Sequence, residues 1–341
     1  MNDELPFLLA GGALLLGLVF GIVAQRSRFC VVAALSNWVL LRDHRQLHAY
    51  VAALGVALLG TALLEWGDWV DIGGSSYRSA RLDWVGLLSG GLVFGFGSML
   101  AGGCATRTLI RTAEGNLGAL VTLLVLATVA MVTLFGVLEP VRVWIVQESA
   151  VYLTEDRSAV AGWFALPHWF PAIAAASVCA LILFRLGNWR EHPGMVAAGA
   201  LIGLSITAGW WLTGYLAQDE FEPTPPISVS IVGPLTRGVT YVTLGQLTGS
   251  LFGVFLIAGV FAGALLSALA TRSFRWIAPD GSRLGAYLLG GVFMGSGAVL
   301  AGGCNVGQGL TGLATLSVQS VIAATAIFLG MRIGLWWLER E

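Results

Sequence analysis

The chain has 341 residues, of which 57% are hydrophobic and only 11% charged, with a mean hydropathy of +0.82. Soluble domains carry about 25% charged residues, so an ordinary soluble protein is excluded. The formal net charge is −1 and there is no lysine, so no basic surface for nucleic acid is expected.

The apolar residues come in long runs, several close to the ~20 residues that cross a bilayer as helix. The first predicted span, 6–25, follows Asp3 and Glu4 and ends on Arg26 and Arg28. That pattern reads as a retained first helix with its N-terminus outside, not a cleaved signal. Further spans are predicted at 48–65, 86–103, 117–138, 168–186, 195–216, 244–270, 286–303 and 319–338, nine in all. Arg42, Arg45, Arg107, Arg111, Arg185, Arg190, Arg272, Arg275 and Arg283 mark cytoplasmic ends, whereas the acidic segments 65–83, 139–156 and 218–222 fit outside. The C-terminus then lies inside.

An internal repeat runs through these spans. Residues 90–104 (GGLVFGFGSMLAGGC) and 290–304 (GGVFMGSGAVLAGGC) are identical at nine of fifteen positions. GLVFG at 17–21 repeats GLVFG at 91–95, and Cys30, Cys104 and Cys304 each fall thirteen residues after a motif glycine (Gly17, Gly91, Gly291). A weaker fourth copy, GALIG at 199–203 continuing into GWWLTG at 209–214, has Leu212 at the equivalent place. The predicted directions invert the last two copies relative to the first two. The expected fold is an all-α polytopic membrane protein with about nine spanning helices and an inverted repeat of four, one and four spans, as in many transporters. Residues 1–341 form a single transmembrane domain: a first half at 1–138, an outer segment and linker span at 139–190, and a second half at 191–341.

Short apolar pieces follow the motif copies, at 31–41, 105–113, 227–237 and 305–316. About ten helical residues cover ~15 Å, half a membrane, so four re-entrant or half-helical elements are expected to converge on the centre. The glycine pairs 102–103 and 302–303 permit such breaks, although Gly-x-x-x-G also serves helix packing. Cys30, Cys104 and Cys304 sit where a repeated helix ends and a short element begins. A thiol there supplies a weak donor and a polarizable sulfur, and half-helix N-termini attract anions. Gly103, Gly303, Asn305 and Arg107 complete the expected pathway. The nearby arginines, Arg26, Arg28, Arg107 and Arg111, serve more cheaply as edge anchors than as ligands at the membrane centre. Thr106, Thr108, Gln308 and Thr311 offer donors to substrate or caps to the half-helices. Cys179 reads as an inert buried thiol, and Trp210, Trp211, Trp336 and Trp337 as interface or boundary residues. His44 and His48 read as part of a solvated basic loop; no metal site and no cofactor are expected. A small sulfur-containing anion suits soft thiols and positive dipole ends.

The segments GLVFG…RSRFC (17–30), GGLVFGFGSMLAGGC (90–104), GALIGLSITAGWWLTG (199–214) and GGVFMGSGAVLAGGCNVGQGL (290–310) resemble the YeeE/YedE family of sulfur-transport membrane proteins across essentially the whole chain. The resemblance implies uptake of thiosulfate across the bacterial inner membrane, past cysteines at the ends of inward-dipping loops that match Cys30, Cys104 and Cys304. It also implies a small cytoplasmic TusA-like partner that receives the sulfur, here as a separate protein. Some family members are associated with selenium. The alternatives are therefore a selenium compound or another anion as substrate, or, from a different class, a membrane thiol enzyme working by sulfur transfer or disulfide exchange. The absence of CxxC weakens disulfide exchange, which wants a resolving thiol close by, unless distant cysteines meet in space.

Overall fold

A computed structural model describes residues 4–164, 166–167, 169–187, 190–216, 218, 224–245, 251–279 and 281–340. Of the sequence expectations, Asp3 and most of the acidic segment 218–222 lie outside the described residues. Fourteen α-helices follow in order among those residues: α1 (Glu4–Ser27), α2 (Val31–Ser36), α3 (Arg45–Trp66), α4 (Trp84–Leu100), α5 (Ala105–Ala113), α6 (Leu117–Phe135), α7 (Glu139–Glu148), α8 (Val160–Trp163), α9 (Trp169–Arg185), α10 (Pro193–Trp211), α11 (Val232–Leu244), α12 (Leu251–Ala270), α13 (Leu284–Leu300) and α14 (Val318–Leu338). The long helices are apolar around their circumference, and a helix satisfies its backbone groups internally, as a lipid environment demands. Eight segments among the described residues are long and apolar enough to cross a membrane. The expected ninth span is α9, whose 17 residues reach only about 25 Å at 1.5 Å each, short of the ~30 Å hydrocarbon core. It packs on α3.

Glycine faces set the helix pairing. A side chain at Gly21 would collide with the Val260 carbonyl of α12, one at Gly95 with the Ile327 carbonyl of α14, one at Gly199 with Ala49 of α3, and one at Gly295 with Leu126 of α6. Besides α4 with α13, the principal pairs are thus α1 with α12, α4 with α14, α10 with α3, and α13 with α6. Exchanging α1 with α10, α3 with α12, α4 with α13 and α6 with α14 maps each pair onto another. The central helices α4 and α13 cross antiparallel: Gly90 faces Gly297 and Ala301, whereas Gly97 faces Gly290 and Met294. The expected inversion of the repeat is therefore present in the packing.

Between the halves, β1 (Arg81–Asp83) pairs antiparallel with β2 (Ala150–Tyr152), with Leu82 opposite Val151. This two-stranded ribbon and α7 lie with the acidic segments 65–83 and 139–156. Three of the four short elements fall where the sequence put them. Residues 31–41 form α2 and a π-helical turn, 105–113 form α5, and Gly307–Gly312 form a π-helical turn within the expected 305–316. The fourth differs. Instead of 227–237, an extended strand-like segment over 224–231 leads into α11, and Leu244 belongs to that helix and not to the next span, which is described from Leu251.

Candidate functional site

The three cysteines follow one recurring helix stop. After α1, Arg28 has φ +52°; after α4, Gly102 has φ +70°; after α13, Gly302 has φ +65°. In each case the left-handed residue and its successor donate to the last turn. Arg28 N and Phe29 N reach Gln25 O and Ala24 O at 3.2 and 3.0 Å. Gly102 N and Gly103 N reach Met99 O and Ser98 O at 3.0 Å each, and Gly302 N and Gly303 N reach Val299 O and Ala298 O at 3.3 and 2.8 Å. This double bond pattern is the Schellman cap, which wants glycine at its left-handed position. The cysteine then comes two residues later, in extended backbone: Cys30 caps α2 and Cys104 caps α5. The conformational demand thus falls on Gly102 and Gly302. Gly103 and Gly303 instead make room for the next turn, since a Cβ there would press on Arg107 Cγ at 3.4 Å and on Gln308 Cγ at 3.1 Å.

The fourth motif copy has no such stop. At Leu212 the chain continues as a π-helical turn, Leu212–Leu216, and the inward-dipping segment is held differently. Thr213 Oγ1 donates to Ile227 O at 2.5 Å, and Ser228 Oγ donates to Ile206 O at 2.6 Å.

All four cysteines are free and buried. Cys30 Sγ lies 3.9 Å from Cys104 Sγ, so helices α2 and α5 point their N-termini at one place. Cys304 lies within electrostatic reach of Cys104 on one side and of Tyr77 on the other. Cys179 stands apart in a small cluster with Val51, Leu58 and Ala176, as expected of an inert thiol.

Cys30 opens into a cavity of about 660 Å³ whose walls carry Arg28, Arg45, Arg107, Asn37, Gln46 and Asp43. The Arg45 guanidinium beside Asp43 holds that carboxyl below its usual range, so Asp43 stays ionised and partly offsets the three arginines. Arg107 lines this cavity, three residues beyond Cys104.

Three buried donors near the path have no partner: Thr106 Oγ1, Asn305 Nδ2 and Trp210 Nε1. Leaving such a group unpaired costs about 1–3 kcal/mol, a cost that a passing anion would relieve. Asn305 follows Cys304 directly in the chain. The other expected donors are committed to structure. Gln308 Nε2 donates to Ala301 O at 3.0 Å and its Oε1 accepts from Ser320 Oγ at 2.7 Å. Thr311 Oγ1 donates to Val229 O at 2.6 Å, and Thr108 Oγ1 to Cys104 O at 3.0 Å. None of these caps a half-helix N-terminus.

Several residues had no signal strong enough to find them. Trp210, read as an interface or boundary residue, is wholly buried and packs edge-on against Tyr77 at 6.0 Å. Burial pushes the Tyr77 phenol above its ordinary pKa, so it stays neutral. Beside it, buried Arg78 donates through Nε and Nη2 to Thr315 O at 3.0 and 2.8 Å and pairs with Glu65. An arginine pair, Arg78 and Arg81, within the acidic segment 65–83 was the available clue. His48 is buried, not solvated, with Nε2 2.9 Å from Gly187 O. Among the described residues no group of three or more His, Cys, Asp or Glu is placed to hold a metal.

The family model described as sulphur transport matches residues 26–333, a stretch that contains all three helix stops and their cysteines. The chain belongs to that family. It is 30% identical to the thiosulfate transporter TsuA of Escherichia coli K12 over 349 aligned residues, which cover 95% of this chain and 93% of that protein. It is also 30% identical to the TsuA of Spirochaeta thermophila over 342, covering 96% and 98% respectively. A shorter match, 32% over 109 residues, relates 31% of the chain to a quarter of the probable transporter YedE of E. coli K12. With its apolar spans, the chain is a multi-pass membrane protein of the sulfur-transport kind, as the sequence resemblance implied.

Proposed function

We propose that the protein is a permease for the uptake of thiosulfate, passing the anion from Cys304 to Cys104 to Cys30 and out into the arginine-walled vestibule. The observation that carries this reading is the convergence of thiols at matching helix stops, with Cys30 and Cys104 3.9 Å apart at the head of the cavity. Each stop places a weak S–H donor beside first-turn N–H groups at the positive end of a helix. A dianion with a soft terminal sulfur can then move between neighbouring thiols without forming a covalent bond. Conduction needs each site strong enough to admit the ion and weak enough to release it, and thiols meet that need better than buried arginines would. The unpaired Asn305 and Thr106 donors favour the oxyanion end. Chemistry stays non-covalent, so the protein is not an enzyme.

The vestibule holds Arg28, Arg45 and Arg107 together with the C-terminal Glu339, so this end faces the cytoplasm and the N-terminus lies outside, in the inner membrane. A soluble TusA-like sulfur carrier would receive the anion there. The test is uptake of radiolabelled thiosulfate in cells lacking other sulfate and thiosulfate importers. Wild-type uptake that disappears in Cys304→Ala at equal membrane abundance supports the relay; full uptake in a Cys30, Cys104 and Cys304 triple alanine variant overturns it. If wild-type cells take up none, with the carrier protein supplied, a selenium compound becomes the leading substrate.

One observation favours a second reading. Cys30 and Cys104, 74 positions apart in sequence, meet in space, which disulfide exchange requires. A persulfide or a Cys30–Cys104 disulfide that appears and disappears with turnover, seen by mass spectrometry, would replace the non-covalent relay with a thiol enzyme.

A further inference from the structure

The vestibule arginine nearest the thiols is not free. Arg107 Nη1 stands 3.5 Å from Glu114 Oε1, both side chains largely buried at 16% and 20% exposure. The same carboxylate oxygen accepts from Gln25 Nε2 of α1 at 3.2 Å. Gln25 in turn donates to Ser273 Oγ at 3.2 Å and accepts from Ser267 Oγ at 2.8 Å, and Ser267 accepts from Arg26 Nε at 3.3 Å. Glu114 is also fixed through its backbone, donating to Ile110 O at 2.9 Å and accepting from Arg275 N at 3.0 Å. The carboxylate is therefore held from two helices, α1 and α5, before any anion arrives. The equivalent residues across the internal two-fold, 200 positions on, are Gly307 and Ala314. The outer half thus has neither the cation nor its partner, and the pair belongs to the exit alone.

We propose that Glu114 is a positioning residue for the exit step: it holds the Arg107 guanidinium against the vestibule wall and offsets its charge, so that the anion leaving Cys30 is drawn outward yet released. This rests on the reading of a sulfur oxyanion moving past Cys30 into the vestibule. A bare arginine beside Cys30 would keep a dianion, and a missing one would not draw it; a path conducts when binding is neither. Arg28 and Arg45 also face the cavity, Arg45 already paired to Asp43 at 3.0 Å, so the Arg107–Glu114 pair is the adjustable element next to the thiols.

The experiment is labelled-thiosulfate uptake kinetics for wild type, Glu114→Gln, Arg107→Gln and the double variant, with each protein quantified in the membrane. Glu114→Gln keeps the shape and the Gln25 contact while removing the charge. It is expected to lower KM several-fold and to lower the maximal rate several-fold, because release slows. Arg107→Gln is expected to raise KM, and the double variant to behave as Arg107→Gln alone, since Glu114 acts only through that guanidinium. A purely structural role would lower the maximal rate with KM unchanged or raised, and would leave the double variant worse than either single one; that result overturns the proposal. Should Glu114→Gln fail to reach the membrane, Glu114→Asp, which keeps the charge but shortens the reach, must still lower KM, and an unchanged KM there overturns the proposal as well. Wild-type protein that takes up no thiosulfate, with the carrier protein supplied, overturns the thiosulfate reading and this proposal with it. Wild-type uptake with an unchanged KM in Glu114→Gln overturns this proposal alone.

Discussion

At the residue scale, the helix stops carry a cost that differs between copies. Gly102 and Gly302 adopt φ near +70° without a side-chain penalty, but Arg28 adopts +52° at about 1–2 kcal/mol of steric cost. Arg28→Gly removes that strain and adds back roughly 0.5–1 kcal/mol of unfolded-state freedom, so the net stabilisation is a fraction of ~1 kcal/mol. Thermal unfolding in detergent should show a small rise in Tm while uptake KM rises, because a vestibule cation is lost. Stability and affinity moving in these opposite senses would show that the arginine is kept for its charge; a fall in Tm would show that the strain is illusory. The cysteines and the glycine doublets were legible in the sequence because they repeat at a fixed spacing. Trp210 was not, since a tryptophan near a span end looks the same whether it meets headgroups or a buried phenol, and only the fold of loop 67–83 decides.

At the element scale, the pairing of helices was legible wherever Gly-x-x-x-G recurred, because such a face admits another backbone and little else. Gly95 in α4 lies against Ile327, Gly330 and Met331 backbone atoms of α14, whereas a Cβ at Gly11 of α1 would meet nothing within 4 Å. Gly95→Ala should therefore lose about 1–3 kcal/mol through overpacking, read as a lower melting temperature and less folded protein in the membrane. Gly11→Ala should be neutral or gain about 0.5–1 kcal/mol from helix propensity. Equal effects at the two positions would mean that the glycine face does not set the pairing. The fourth short element was misplaced because its copy lacks both the left-handed glycine and the cysteine. With Leu212 in that place the helix runs on, and the turn is made instead by Thr213 and Ser228 hydroxyls bonding to distant carbonyls, contacts that no local pattern announces.

At the scale of the whole molecule, the inverted repeat gives two half-paths that begin alike and end differently. In the proposed permease the inner half ends in an open vestibule at Cys30 and the outer half ends under loop 67–83. Tyr77 lies where side chains at Gly307 or Gly312 would meet it, in the turn that follows Cys304, and in the proposed permease it covers the approach to that thiol. The neighbouring Arg78 ties the loop to the Thr315 carbonyl and to Glu65, while Gln319 Nε2 donates to Ser79 O and Arg81 O at 3.0 and 2.7 Å. A bond to a charged donor is worth about 1.5–3 kcal/mol, so the latch is firm but within thermal reach of opening. The loop, not the helices, then controls access from outside. In a variant that keeps Cys304 as its sole cysteine, a membrane-impermeant maleimide added outside should label Cys304 slowly. Tyr77→Ala should label at least several-fold faster, since it removes the ring above the thiol while leaving the Arg78 ties intact. Arg78→Gln should also label faster, by loosening the loop as a whole, and its stability should fall by about 1–3 kcal/mol because Thr315 O and Glu65 lose their buried partner. Labelling that is fast in wild type and unchanged in both variants would place the barrier deeper, among the thiols, and would make the loop a tether and not a cover.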